Sequence, residues 1–559
     1  MHAPNASHPR TSGRVRRLTF TAAAGLLAVG LLGSQAGWAQ ASVAATGATA
    51  TTTAVVPAAA PHAGTGTATA RSVNVRQAAT APRIAPTALN PAQRAALSRA
   101  AAARPALPSK PTTGSKPVPA KATVSGANHV AHTVASAVIR PQVAPPVVTN
   151  FAAVNESLSA CGCQPPDVNA AVGANEITEM VNLRLEVYNK AGAALCGIGL
   201  NSWLGTSDSL SDPRVMYDNV NGRYLFVLTI VPASGTATPA IWLGATQTNN
   251  PCGGWWIYRP TFAGGSFPAG TLLDYPMMGQ DRNAMLLSTN NFPASGGENF
   301  TVFGVPKSAI YSGGGFSFSA FSTASSVTPV SNGGIPMIST SRSYFLGSVP
   351  GTGYRLYNLT NSGGSGAVLT LQATISSAFS APPRRVNQPG TTSTLDPLDG
   401  RIDWSPVNDG SFIWFAHGID IGGFPGIRYG AISISANSAT VADAYHSGTS
   451  DDFNPSVGVG NSPAGGNYIY VNWAYTDSPA GVATSDTVDS VNPGGGVPSL
   501  IGTGVVLVNG SATGETRFGD FSSVAIDPAN SNGSCAVSAQ QYFNSDGSWA
   551  TRIARLGTC

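Results

Sequence analysis

The sequence predicts an all-β protein, a β-propeller of seven blades with six or eight left open, behind a disordered low-complexity leader. Three observations predict it. Short alternating runs such as Tyr224–Ile230, Phe412–Ala416 and Tyr468–Ala474 sit between turn-forming residues, and long helical periodicity is missing after Pro145. One strand–turn–strand unit recurs along the chain. Charge divides the chain in two: residues 1–155 carry 14 Lys/Arg and no Asp or Glu, while the other 404 carry 16 Lys/Arg and all 26 acids.

Residues 1–41 read as an export signal. Arg10, Arg14, Arg16 and Arg17 precede an apolar run, Leu18 to Leu32, and Gly37, Ala39 and Ala41 offer cleavage points. The run is about 15 residues, short of the ~20 that span a bilayer, and no later segment is long and apolar enough. Residues 42–145 form a basic Ala/Pro/Thr-rich low-complexity linker with too little apolar surface to offset its ordering entropy. Within it, Asn90-Pro91 before an Ala-rich run favours a short helix, marginal in isolation. The tract reads as a solvated spacer or propeptide; the alternatives are an envelope tether or a contact with anionic polymer.

Residues 146–559 hold the propeller. The repeating unit begins with Asp or Pro, runs through an apolar strand and an Asn/Asp/Gly turn, and returns as a second strand. Its copies start at Asp167, Asp212, Asp274, Ile335, Asp403, Asp452 and Asp520, and the copy at Ile335 is the weakest. The starts lie 45 to 68 residues apart, enough for four strands at ~40–50 residues a blade. Such blades bury their faces by closing into a ring. The competing architecture is a β-sandwich with a smaller β-domain.

All six cysteines, Cys161, Cys163, Cys196, Cys252, Cys535 and Cys559, lie in this body. In an exported chain they favour disulfides, with 15 connectivities. Cys196–Cys252 and Cys535–Cys559 are the local pairs. Cys161 and Cys163 could pair with separate partners or with each other.

The segments Pro165–Asn175, Asp212–Asp218, Asp274–Met277 and Arg517–Pro528 resemble a group of bacterial secreted β-propeller proteins of uncharacterised activity, similar in pattern to sialidase-like propellers. The resemblance spans roughly 147–559 and implies the fold. It implies no reaction: the Asp-box Ser-x-Asp-x-Gly-x-x-Trp is absent, with only a scrambled echo at Ser545–Trp549.

Elimination narrows the chemistry. The body holds two histidines, His417 and His446, so a three-His zinc site is excluded, and no HExxH, GxSxG, P-loop or GxGxxG-after-strand motif is present. Its acidic balance argues against nucleic acid. Carboxylate and guanidinium remain. If each copy starts where the chain enters an innermost strand, Asp167, Asp212, Asp274, Asp452 and Asp520, with Asp403, surround one channel mouth. Such carboxylates could act as an acid/base pair on a glycosidic bond or hold Ca²⁺; no other cofactor is expected. Equally, Asp at strand starts caps backbone N–H groups. Arg214, Arg282 and Arg517 could bind an anionic group, and Trp255 and Trp256, after Gly253-Gly254, could stack on sugar rings. The function expected is a secreted, periplasmic or envelope propeller, a monomer, that binds an extracellular polysaccharide or protein ligand at the mouth. The alternatives are a glycoside hydrolase or lyase using paired Asp, and an envelope scaffold or adhesion protein.

Overall fold

The computed structural model describes residues 59–104, 106–108, 116, 123–125, 144–332, 342–461, 467–491, 504–513 and 517–559. Seven antiparallel sheets form seven blades. Their innermost strands are Asn169–Val172, Ser209–Asp218, Leu272–Gln280, Thr328–Pro329, Val407–Asn408, Asp451–Asn461 and Ser523–Ile526, for blades 1 to 7. Five predicted copies open on their innermost strands; in the copy at Asp403 the predicted strand Arg401–Ser405 is irregular and the strand is Val407–Asn408. The fourth, Ile335–Ser341, lies outside the described residues; its blade opens on Thr328–Pro329 and continues in Arg342–Val349.

The ring closes with a strand from the other end of the body. Blade 7 is built from Ser523–Ile526, Cys535–Phe543 and Trp549–Gly557, and its fourth strand is Val147–Asn155, paired Ile553 to Phe151 and Ala554 to Asn150. Apolar faces meet between neighbouring blades. Leu185 and Trp203 with blade 1 pack against Phe226 and Trp255 of blade 2, and Val172 and Ile177 of blade 1 join Val537 and Ile553 of blade 7.

The strand entries share a bend. Asp167, Asp212, Tyr275 and Asn454 all hold φ between 48° and 53°, the left-handed region that Asp and Asn tolerate better than other side chains. Asp212, Tyr275 and Asn454 each precede a proline, at Pro213, Pro276 and Pro455, and at each the strand register slips. The structural repeat therefore aligns Tyr275, not Asp274, with Asp212. Asp274 stands one residue earlier.

The expected spacer is corrected where it is described. His62–Ala68 adds a strand to blade 3, Ala70–Asn74 to blade 2 and Thr123–Ser125 to blade 5. Backbone pairing, which depends little on side chains, lets so plain a sequence join a sheet. Glycine helps: a Cβ on Gly66 would overlap the Phe318 ring. Two helices follow the second strand, α1 (Val75–Ala79) and α2 (Pro91–Ala103). The latter carries the predicted Asn90 cap, as a full capping box with Gln93.

The three disulfides are Cys161–Cys163, Cys196–Cys252 and Cys535–Cys559. Of the two readings of Cys161 and Cys163, the structure takes the mutual pair. No helix of the described residues is long and apolar enough to cross a membrane.

Candidate functional site at the channel mouth

Four of the predicted aspartates, Asp167, Asp212, Asp274 and Asp520, gather at the mouth. They line a cavity of about 660 Å³ together with Asn182, Ser211, Arg517, the Cys161–Cys163 bridge, and Arg104 and Leu97 of the leader.

Their roles differ. Asp167 accepts the backbone N–H of Asp520 at 2.9 Å, and its second oxygen accepts from Asn182 at 2.6 Å. Asp212 accepts the N–H of Tyr275 at 3.1 Å, while its own N–H donates to Asn182. These two carboxylates thus link blades 7, 1, 2 and 3 around the rim, the capping role open to any Asp at a strand start. Burial, reinforced by the neighbouring Asp carboxylates, raises both pKa values, well above the ordinary value for Asp167.

Asp520 is a buried anion held by cations. Burial pushes its pKa up, but Arg104 and Arg517 outweigh this and set it at about 2. Both Arg104 guanidinium nitrogens of the η pair donate to its two oxygens, and Arg517 lies 3.4 Å away. Asp396 stands 3.9 Å from Arg104 Nη1.

Asp274 differs from all three. Being one residue ahead of the capping position, it accepts no hydrogen bond from the described residues, and it faces the cavity only partly exposed. Burial first, then the charge of Asp212, raise its pKa to about 7. One cavity therefore holds a carboxyl titrating near neutrality and a carboxylate ionised throughout.

Beneath the mouth lies a throat that the sequence did not single out as a unit. Arg214 is fully buried, 4.1 Å from the Phe521 ring centre and 5.3 Å from that of Trp404, and burial lowers its pKa to about 10. Arg214 Nη1, Asp403 Oδ1 and the Tyr275 hydroxyl are buried with no hydrogen-bond partner among the described residues. Burial raises the Asp403 pKa well above its ordinary value. Arg401, over the Tyr275 ring at 5.0 Å, is tied to Asp399.

The remaining predicted residues fall elsewhere. Asp452 is buried in an ion pair with Lys116 at 2.5 Å and accepts from the Trp473 indole at 2.9 Å. Arg282 sits in the turn after Gln280, at the far end of the strand that starts beside Asp274, lining a separate hollow with Lys307. Trp255 is core rather than platform: it lies in the strand Gly254–Tyr258, fully buried against Trp203, with its indole bonded to Pro251. Trp256, on the same strand, is half-buried against Gly313, and its strand pairs with the added strand Ala70–Asn74. Neither tryptophan is on a loop, because the strand begins at Gly254. Arg517 lines the cavity beside Asp520, and Arg214 is buried in the throat. Sequence reasoning missed Arg104, Asn182 and Tyr275. Only the weak Asn90-Pro91 helix signal pointed toward the first.

Among the described residues no three His, Cys, Asp or Glu side chains are placed to hold a metal ion. The fold defines the chain as a seven-bladed β-propeller. No protein-family model and no curated protein sequence matches it. Solved structures similar to it include an α-L-arabinanase of Penicillium chrysogenum complexed with arabinobiose (TM-score 0.27, 9% identity, covering 51% of this chain and 92% of that chain). A subtype N10 neuraminidase-like protein of A/little yellow-shouldered bat/Guatemala gives TM-score 0.33 at 9% identity, covering 62% and 99%. The exo-beta-1,3-galactanase of Phanerochaete chrysosporium, with galactose, gives 0.26 at 11%, covering 75% and 99%. Likenesses this distant transfer no residue roles.

Proposed function

We propose that this propeller is exported and binds a neutral glycan at its acidic mouth. The observation that carries the reading is the Asp274 carboxylate, unbonded within a cavity of about 660 Å³. A cavity of that size falls in the range of small-ligand sites. Asp274 and the Ser211 hydroxyl oxygen, whose proton goes to Asp212, offer acceptor lone pairs to sugar hydroxyls, and the Arg517 guanidinium edge adds donors. The aspartates lining the cavity outnumber its arginines, which disfavours uronic or sialic acids. This narrows the earlier expectation, in which arginine would recognise an anionic sugar.

A second reading, glycoside hydrolysis, has its own support in the divergent carboxyls. Asp274, near 7, would be protonated below neutrality and could donate to a glycosidic oxygen. Asp520 is ionised, but its ion pair with Arg104 occupies the oxygens that a nucleophile or base needs.

The test is a panel of neutral oligosaccharides and polysaccharides against the full chain and Asp274→Asn, read by calorimetry and by reducing-end release. Binding weakened about tenfold or more in the variant, without product, supports the binding reading. Product release lost in the variant supports hydrolysis. Neither binding nor product across the panel overturns both and leaves a scaffold or adhesion role.

A further inference from the structure

Described segments of the leader are held on both sides of the mouth. On one side it is fixed by Ala70–Asn74 in blade 2 and by α1, whose Val75 is buried among Trp203 and Trp255. On the other it is fixed by Lys116 against Asp452 of blade 6 and by Thr123–Ser125 in blade 5. Between these anchors, Pro86–Leu89 and α2 form one wall of the cavity.

The middle is lightly held. Only Gln93, Ala96 and Ala100 of α2 are buried, with Gln93 donating to Ser209 and Asn90 to the carbonyl of Ala233. At its end Arg104 reaches Asp520, with Asp396 3.9 Å away. An Ala-rich helix with little apolar surface contributes little affinity. A bidentate, mostly buried guanidinium–carboxylate pair is the strongest contact in the span.

We propose that residues 86–104 are a strap that roofs the mouth, with Arg104 as its latch. The site then admits ligands that fit beneath the roof, a short glycan or the free end of a longer one, and refuses the middle of a polymer. The choice of glycan rests on the function proposed above; the closure itself does not.

Access can be measured without a sugar. Ser211→Cys places a thiol on the cavity wall. In that variant N-ethylmaleimide should react while a bulky maleimide-polyethylene glycol should not. Adding Arg104→Ala should raise the rate of the bulky reagent at least tenfold. Arg104→Gln, which keeps the stem and loses the charge, should act in the same direction and serves if the alanine variant does not fold. Equal reaction of both reagents in Ser211→Cys overturns the roof, and no change on removing Arg104 overturns the latch. In parallel, the wild-type chain should bind neutral oligosaccharides of two to six units and gain binding to the parent polymer only when Arg104 is replaced. Polymer bound equally by both overturns the strap. A strap demonstrated by labelling, with no sugar bound, removes the glycan reading alone.

Discussion

At the residue scale, the four mouth aspartates share a side-chain type but divide into caps, an ion-paired anion and an unbonded carboxyl. Asp274 gives a pH signature. Its folded value of about 7 lies above the ~3.9 of an unfolded aspartate, so its contribution is fully present below about pH 4 and is lost as pH rises through 7. Asp520, held at about 2, acts oppositely: its contribution is present above about pH 4 and is lost as pH falls toward 2. Asp274→Asn should therefore match the wild type in urea stability at pH 4 and exceed it by roughly 1–3 kcal/mol at pH 8. A constant offset across pH would refute the assignment. Asp212→Ala removes the acceptor for the Tyr275 N–H and should cost about 1–3 kcal/mol, with urea denaturation as the check. The sequence made these aspartates legible as a repeat. It could not separate cap from free carboxyl, because that depends on a one-residue offset between Asp274 and Tyr275 that only strand register reveals.

At the element scale, the disulfides and added strands show how far local signals reach. Cys535–Cys559 and Cys196–Cys252 were guessable from proximity along the chain. The first spans 24 residues and should contribute about 3 kcal/mol. Replacing both cysteines with serine should lower the urea midpoint accordingly, while the same change at Cys161 and Cys163, a separation of 2, should cost far less in chain entropy. Similar losses for the two pairs would contradict this. The α2 helix was legible from Asn90 and Pro91, since capping is local. Its position over the mouth was not, because Arg104 and Asp520 are 416 residues apart. Nor were the leader's strands: His62–Ala68 has no apolar alternation, and it joins blade 3 by main-chain bonds that any edge offers.

At the scale of the molecule, the described strands of the leader complete the sheets of the body. The outer edges of blades 2, 3 and 5 are covered by leader strands. Unpaired strand edges template association. Deleting residues 59–125 should expose them, giving concentration-dependent oligomers or aggregates by light scattering. A monodisperse truncated product would show that the edges need no cover.

The sequence by itself determined the fold class and most innermost strands, with seven as the favoured number of blades and six or eight left open, and it marked the aspartates at the strand entries. Alternation, turn residues and repetition are local or periodic signals, and ring closure follows from them by burial. Only the tertiary structure decided which aspartate faces the cavity, that Trp255 is core, that Arg282 and Asp452 stand apart from the mouth, and that an acid-free leader lays Arg104 across it. Those outcomes depend on register and on contacts between segments far apart in the chain, where a side chain's chemistry is set by neighbours that the local sequence does not name.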